Sequence, residues 1–189
     1  LVGDLLRKYV DEIQCPLPSS VMYSFSRLRD LSLIMVRNVI HEFENSSFGI
    51  VAFEQDISEY KSGSLHPMEI KVYESDLSSP VVSLGGVIDR IDCYEDDNRK
   101  YIRVIDYKTG SHKYDVDKIE DGADLQLPAY LFTAALKENR EFFGKDSDKE
   151  VFPASALFLS AEEKDGMLSP TRSGFILNDD ALLHAASAN

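Results

Sequence analysis

Three residues of this sequence have the types needed to hydrolyse a phosphodiester bond: Asp89, Asp106 and Lys108. Carboxylates supply the hard oxygen ligands that Mg2+ or Mn2+ takes beside substrate phosphate oxygens. A neighbouring ammonium can orient or activate the attacking water and offset the negative charge that grows on the phosphate. If the three side chains share one surface, they predict a metal-dependent hydrolytic site.

A β-hairpin is predicted to position these residues. Segments 81–94 and 100–108 are rich in β-branched and aromatic residues, and the polar segment 95–99 has the composition of a hairpin loop. The two β-rich segments therefore predict an antiparallel pair whose turn centres between Asp97 and Asn98.

In that register Asp89 lies directly opposite Asp106, with Cβ atoms about 5 Å apart, and two like charges so placed destabilise a sheet unless a cation lies between them. Because side chains alternate along a strand, Asp106 and Lys108 share one face and Tyr107 points to the other. The hairpin thus predicts two carboxylates and one amine on a common surface.

A purely structural interpretation of the same residues is also open, in which Asp106 and Lys108 form the exposed polar face of an edge strand. Two other features favour a site. The pair Gly85-Gly86 permits close backbone approach, and Gln126 and Tyr130 lie one turn apart on the next predicted helix.

The remaining elements follow from apolar periodicity, β-branched content and turn residues. The first is a helix over 20–44 whose apolar stripe is Leu28, Leu31, Met35, Val39 and Phe43. Strands follow over 48–57, which carries Glu54, and over 68–73, and after the hairpin come a loop with one helical turn over 110–122 and a helix from Leu125 to about Glu138 capped by Asp124. The last predicted elements are a solvated connection over 138–150, strands over 154–160 and 174–177, and a short helix from Asp179. This order predicts an α/β fold with helices flanking a mixed sheet.

Composition sets limits on function. The 189 residues are 43% hydrophobic, which suffices for one domain with a buried core. A net charge of -13 argues against a nucleic-acid binder that acts alone, because such binding draws on Lys and Arg. The objection weakens if a partner subunit holds the nucleic acid and the acidic residues serve a divalent cation.

Targeting and metal-binding signals are sparse. The sequence has no apolar run of about eighteen residues and no signal peptide, so we expect a cytoplasmic protein with no membrane association. Cys15 and Cys93 are too far apart in the sequence to suggest a disulfide framework or a zinc or iron–sulfur site. The histidines are scattered and are predicted to be surface or satisfied polar residues: His41, His66, His112 and His184.

Three blocks, GVIDRID over 86–92, VIDYKTG over 104–110 and QLPAY over 126–130, resemble in order and spacing the PD-(D/E)xK nucleases of the RecB type. The nearest likeness is to the AddB-type nuclease domains of bacterial AddAB helicase-nucleases. The matching motifs run from Gly86 to about Ala135, and a weaker likeness extends back to the strand that carries Glu54.

The resemblance implies a restriction-endonuclease-like αβββαβ core with one Mg2+, or Mn2+, bound by Asp89, Asp106 and the backbone carbonyl of Tyr107. Lys108 would be the catalytic lysine.

The resemblance also assigns residues around this centre. Gln126 and Tyr130 match a QxxxY motif whose side chains lie beside the catalytic site and help place the DNA strand and the lysine. Glu54 corresponds either to the upstream acidic residue of the family's catalytic set or to a surface glutamate. Arg90 and Asp92 alternate with Asp89, so we expect them to form a structural salt bridge or to pack on the opposite face.

At the scale of the chain, the resemblance implies one RecB-like nuclease domain over 1–189 within a larger subunit. Its parts would be a helical lead-in over 1–47, a nuclease core over 48–160 and a C-terminal extension over 161–189. The first residue, Leu1, and the small-residue tail are compatible with such a fragment. The implied partner is an AddA-like helicase-nuclease subunit, and the implied activity is exonucleolytic cutting of single-stranded DNA from double-strand breaks in recombinational repair.

The sequence departs from this family in two respects. AddB-type domains carry a histidine metal ligand and four cysteines for an iron–sulfur cluster, and neither is found here; Cys15 lacks the downstream cysteines, and the surroundings of His41 do not match. Two alternatives to an active nuclease therefore stay open. One is a catalytically inactive domain that guides DNA or acts as a subunit scaffold; the other is an acidic α/β interaction module with Asp89 and Asp106 on different faces.

Overall fold

The structure is a computed structural model that describes residues 18–59, 61–72, 80–110, 112–144, 149–164 and 167–177, together with residues 3, 4, 7, 8 and 12. Its helices are α1 (Ser19–Glu44), α2 (Asp117–Glu120) and α3 (Gln126–Ala134), followed by a 3-10 helix (Lys137–Phe143). Its strands are β1 (Gly49–Ile57), β2 (Met68–Lys71), β3 (Val81–Leu84), β4 (Gly86–Glu95), β5 (Arg99–Lys108), β6 (Glu150–Lys164) and β7 (Met167–Ile176). Cys15 and the helix predicted from Asp179 lie outside the described residues. Within the described part, no helix is both long and apolar enough to cross a membrane.

Five strands form one mixed sheet in the order β1-β4-β5-β6-β7. All neighbouring pairs are antiparallel except β5 and β6, which are parallel. A parallel pair needs a long crossover, and α2, α3 and the 3-10 helix supply it. The elements α1, β1, β4, β5, α3 and β6 reproduce the predicted αβββαβ order, so the predicted α/β fold with a mixed, helix-flanked sheet is confirmed.

The predicted hairpin is confirmed by the pairing of β4 with β5, from Arg90 opposite Ile105 to Glu95 opposite Lys100. Its turn is held by Asp96, whose Oδ1 accepts the backbone N–H of Asn98 at 2.8 Å. The single strand predicted over 81–94 is wrong, because the chain leaves the ladder at Gly85. The first part of that segment, β3, pairs instead with β2 in a separate two-stranded sheet.

The main hydrophobic core lies between the sheet and α3. It joins alternate residues of β4 and β5 with the inner side of α3, including Ile91, Ile102, Val104, Leu127 and Leu131, all fully buried. Burying a side chain of this size contributes about 1.5–3 kcal/mol. This packing fixes α3 against the strands that carry the predicted site.

A buried ionic network covers the opposite face of the hairpin. Arg90 donates to both oxygens of Asp92 at 2.8 and 2.7 Å and to Tyr107 Oη at 3.0 Å. Arg103 contacts the same Asp92 at 2.6 Å, and Glu42 of α1 contacts Arg90 at 3.2 Å and Arg103 at 2.9 Å. The predicted salt bridge between Arg90 and Asp92 is therefore confirmed, and it ties α1 to the sheet.

Several predicted boundaries need correction. Asp124 is not a helix cap: it has a left-handed φ of 53°, and no side chain caps α3. The helix ends at Ala134 instead of Glu138, because the chain tightens into the 3-10 helix. That segment is not a simple solvated connection, since Asn139 and Phe143 are buried. Strands β6 and β7 form a hairpin longer than either predicted strand.

The long helix is confirmed, but its apolar stripe only in part. Leu31, Met35 and Val39 are half-buried as predicted. Leu28 and Phe43 are 49% and 38% exposed. The inward side of α1 instead includes the buried carboxylate of Glu42, which a hydrophobic pattern does not reveal.

Candidate active site

Two carboxylates meet where β4 and β5 run side by side. The ladder ends at Arg90 opposite Ile105, and one further step places Asp89 opposite Asp106. Asp106 is buried and Asp89 is half-buried. The Oδ2 atom of Asp89 accepts the backbone N–H of Tyr107 at 2.7 Å, which fixes the β4 carboxylate to the backbone of β5. Convergence of the two acids argues against an interaction module with splayed aspartates.

Lys108, Asp106 and Gln126 form a closed set of contacts. The Lys108 ammonium lies 2.6 Å from Asp106 Oδ2 and donates to Gln126 Oε1 at 3.1 Å. Gln126, the first residue of α3, donates through Nε2 to Asp106 Oδ1 at 2.8 Å. The side-chain amide of Gln126 therefore orients both the carboxylate of Asp106 and the ammonium of Lys108.

The electrostatic balance at Asp106 favours an additional cation. Burial raises the pKa of this carboxyl above its ordinary value, and the charge of Asp89 raises it further, while Lys108 opposes both effects. The cluster thus holds two carboxylates against one lysine. A divalent ion near both acids would remove this excess negative charge.

The donor set fits Mg2+ or Mn2+. Asp106 Oδ2 is buried and has no hydrogen bond of ordinary geometry, although it forms the ion pair with Lys108. Among the described residues no group of three or more His, Cys, Asp or Glu side chains is placed so that it could hold a metal ion. Two carboxylates without further side-chain ligands suit Mg2+, which keeps several waters and uses one or two carboxylates beside substrate phosphates.

Tyr130 lies one turn along α3 from Gln126 and packs against Gly86 at the start of β4. A Cβ placed on Gly86 would lie 2.7 Å from Tyr130 Oη, closer than such atoms approach one another. The absence of a side chain at Gly86 therefore lets α3 approach the strand that carries Asp89. The close approach predicted for the glycine pair is thus found at Gly86 alone, where the approaching group is the Tyr130 side chain; Gly85 has only an ordinary contact with the backbone oxygen of Ile57.

Glu54 lies on β1 between the pairs Phe53–Arg90 and Gln55–Ile88, which places it across from Asp89. Its side chain is exposed, and it does not complete a three-acid cluster with the two aspartates among the residues described. Its backbone has a left-handed φ of 48°, which is unusual for a non-glycine residue within a strand. The register brings Glu54 next to the site without joining it to the carboxylate pair.

Two residues that the sequence patterns did not single out also border the site. Phe158 of β6 stands beside Asp106 in the parallel register, and its ring centroid lies 5.1 Å from Lys108 Nζ. The ring of His112 lies 4.3 Å from that of Phe158, and a positive charge on His112 would lower the pKa of Asp106. No local pattern marks either residue, because each reaches the site through the crossover.

A mixed sheet flanked by helices, with aspartates on two adjacent strands and a lysine two residues after the second, is the arrangement of one class of nucleases. The chain belongs to this class: the family model for the PD-(D/E)XK nuclease superfamily matches residues 2–183.

Curated relatives of this chain are named as a subunit of an ATP-dependent helicase/deoxyribonuclease. The protein of Carboxydothermus hydrogenoformans is 36% identical over 111 residues, which is 59% of this chain and 9% of that relative. The protein of Clostridium acetobutylicum is 34% identical over 149 residues, 78% of this chain and 12% of the relative. That of Clostridioides difficile is 32% identical over 160 residues, 79% and 12% respectively. The chain thus spans only about an eighth or less of the length of these relatives.

Proposed function

We propose that this chain is a nuclease domain that hydrolyses DNA phosphodiester bonds with the help of Mg2+ or Mn2+. The observation that carries this proposal is the convergence of Asp89, Asp106 and Lys108, with Gln126 bonded to both members of the β5 pair. Membership of the nuclease superfamily indicates the reaction class. The metal requirement is supported by the two carboxylates, of which Asp106 has a buried oxygen, Oδ2, without a hydrogen bond of ordinary geometry.

Asp89, Asp106 and the backbone carbonyl of Tyr107 would hold the cation. When bound, the cation supplies Lewis-acid polarisation of a phosphoryl oxygen. Lys108 presents its ammonium to the phosphate under attack and offsets the charge that develops there. Asp106 keeps this ammonium within 2.6 Å of its own carboxylate, which holds lysine and cation ligand together.

Gln126 and Tyr130 act as positioning residues in this scheme. Gln126 orients the charged pair, and Tyr130 sets the approach of α3 to β4 at Gly86. Glu54 is proposed as the upstream acid because it lies across from Asp89. Since the Glu54 side chain is exposed, Glu54→Gln is expected to lower cutting less than a substitution of Asp106.

The wider role is proposed from the name that the relatives carry. We propose that residues 1–189 form one nuclease domain, with a lead-in over 1–47, a core over 48–160 and an extension over 161–189, that works inside an AddAB-type assembly with an AddA-like partner. Its substrate would be single-stranded DNA from processed double-strand breaks, cut exonucleolytically during recombinational repair. A partner that holds the DNA is compatible with the net charge of -13 of this chain.

The test is cleavage of linear single-stranded DNA at low salt with Mn2+ or Mg2+. Asp106→Ala and Lys108→Ala are each expected to lower the cleavage rate by about 100-fold or more, with little change in folding. The exposed residues Asp97 and Lys118 offer matched controls, and Asp97→Ala and Lys118→Ala should cut like wild type. Equal activity in wild type and the site variants would contradict the proposal, and metal binding without cutting would indicate an inactive scaffold.

A further inference from the structure

An apolar cleft of about 470 Å³ opens beside the candidate active site. The β2–β3 sheet forms one wall, where Met68 and Ile70 line the cleft. The other wall consists of Leu125, the residue before α3, and of α3 residues that include Phe132. Among the described residues, all that line the cleft are uncharged. Its volume falls in the range of sites that bind small organic groups.

The cleft adjoins the catalytic cluster and shares residues with it. Gln126, which bonds Asp106 and Lys108, also lines the cleft, and so does Tyr130. A nucleotide whose phosphate lies at Lys108 is therefore separated from the cleft by a single side chain. A base on such a nucleotide that turns toward α3 can reach this apolar surface.

The surface of the cleft leaves apolar groups in contact with water. Ile70 and Leu125 are each 47% exposed and Phe132 is 42% exposed. A phosphate gains little from such a surface because none of the described residues that line it is cationic. A nucleobase does, since bases stack on aromatic and apolar side chains regardless of their identity.

The charge of the chain makes this contribution more important. Backbone binding to nucleic acids depends on Lys and Arg, and a chain with a net charge of -13 gains little from it overall. Within this chain, contacts to the bases would then supply a larger share of the binding to the strand. An uncharged cleft next to the reacting phosphate meets that need.

We infer that the cleft between α3 and the β2–β3 sheet is a nucleobase subsite, which takes a base flanking the scissile phosphate of single-stranded DNA, with Phe132 as its aromatic contact. This inference rests on the proposed function. It predicts that the protein senses whether a base is present next to the cut, but not which base it is.

The test uses the 189-residue chain with Mn2+ and otherwise identical single-stranded oligonucleotides, each carrying one abasic residue at a different position. Cutting at a phosphate flanking the abasic residue is expected to fall by roughly 5- to 150-fold, the range measured for loss of a base–aromatic stack. Phe132→Ala should cut intact DNA more slowly and lose this discrimination, whereas Phe132→Tyr should retain it. Tyr23, an exposed aromatic of α1, provides the control Tyr23→Ala, which should behave as wild type.

A second measurement separates this inference from the nuclease proposal. With Ca2+ in place of Mn2+, an oligonucleotide containing the fluorescent base 2-aminopurine should change its emission on binding wild type and not on binding Phe132→Ala. If cutting is equally fast with and without the base, and no Phe132-dependent emission change is seen, the subsite is overturned while the nuclease proposal stands. The cleft would then be assigned to binding of a protein segment. An emission change without any cutting overturns the nuclease proposal and supports the subsite, and absence of both overturns both.

Discussion

Gln126 connects helix α3 to both charged residues of β5. Its amide nitrogen donates to Asp106 while its amide oxygen accepts from Lys108. Among side chains of this length only a carboxamide can do both, because a carboxylate has no donor and an alkyl group has neither function. The orientation of the lysine therefore depends on this side-chain amide together with the carboxylate of Asp106.

The variants Gln126→Leu and Gln126→Glu test this dependence. Loss of a partner that orients catalytic groups typically lowers activity about 10- to 100-fold, and we expect kcat to fall in this range with little loss of stability. Gln126→Glu adds a carboxylate beside Asp106 and should also move the pH–rate profile, which a merely structural role would leave unchanged. The matched control is Gln55→Leu, since Gln55 bonds the backbone carbonyl of Gly63. Unchanged kcat in both Gln126 variants would contradict the assigned role.

At the scale of elements, the contact between α3 and β4 depends on the space at Gly86. The Cε1 and Cζ atoms of Tyr130 would lie 3.1 and 3.2 Å from a Cβ at this position, in addition to the closer hydroxyl. Any side chain there must displace the helix or the tyrosine. The same helix carries Gln126, so the displacement would reach the active site.

Gly86→Ala is expected to lower the free energy of unfolding by about 1–3 kcal/mol, the usual effect of an inserted methyl group in a packed region. In a Tyr130→Phe background the penalty should be smaller, because the nearest atom is gone. Urea unfolding of the two single variants and the double variant measures this coupling. An equal penalty in both backgrounds would show that the Tyr130 hydroxyl is not the group that an added methyl displaces.

The ionic network between α1 and the hairpin is the second element contact that matters. Burial alone would lower the pKa of Arg90, but the hydrogen bond and charge of Asp92, with Glu42, raise it above its ordinary value. The arginine is therefore charged whenever the chain is folded. Its removal leaves Arg103 as the remaining cation that contacts the carboxylates Glu42 and Asp92 within the described part of the chain.

Arg90→Met should lower the free energy of unfolding by about 3–5 kcal/mol, as expected when one partner of a buried ion pair is lost. The control Arg29→Met removes an exposed ion pair with Asp30 and should change stability by no more than about 1 kcal/mol. Denaturant unfolding of both variants gives the comparison. Similar small effects for the two substitutions would indicate that the network does not hold α1 to the sheet.

At the scale of the whole molecule, the parts that could be predicted from sequence are those set by local patterns. Alternation along the strands and a polar loop predicted the β4–β5 register, and with it the meeting of Asp89 and Asp106. The break at Gly85 was missed because the apolar run continues through it. No pattern revealed the partner of β3, which is set by pairing with the distant β2.

Contacts made through the crossover were equally hidden. Phe158 belongs to β6, which the chain reaches only after the crossover from β5, and His112 contacts the Phe158 ring from the start of that crossover. A periodicity argument does not extend over such a connection. Glu42 is a further case, because a glutamate on an amphipathic helix is expected to face water. Only the arginines of the hairpin explain its burial.

The acidic character of the chain connects these scales. In a chain with a net charge of -13, a divalent cation bound beside the two adjacent carboxylates would offset part of the negative charge. An ion that binds only the folded state would stabilise the chain by about 2.7 kcal/mol at a concentration one hundred times Kd.

Calorimetric titration of the chain with Mn2+ tests this central claim most directly. We expect one ion per folded chain, binding that is lost or strongly weakened in Asp89→Asn and in Asp106→Asn, and unchanged binding in Asp97→Asn, which alters an exposed loop carboxylate. Equal Mn2+ affinity in wild type and in both site variants would contradict the account.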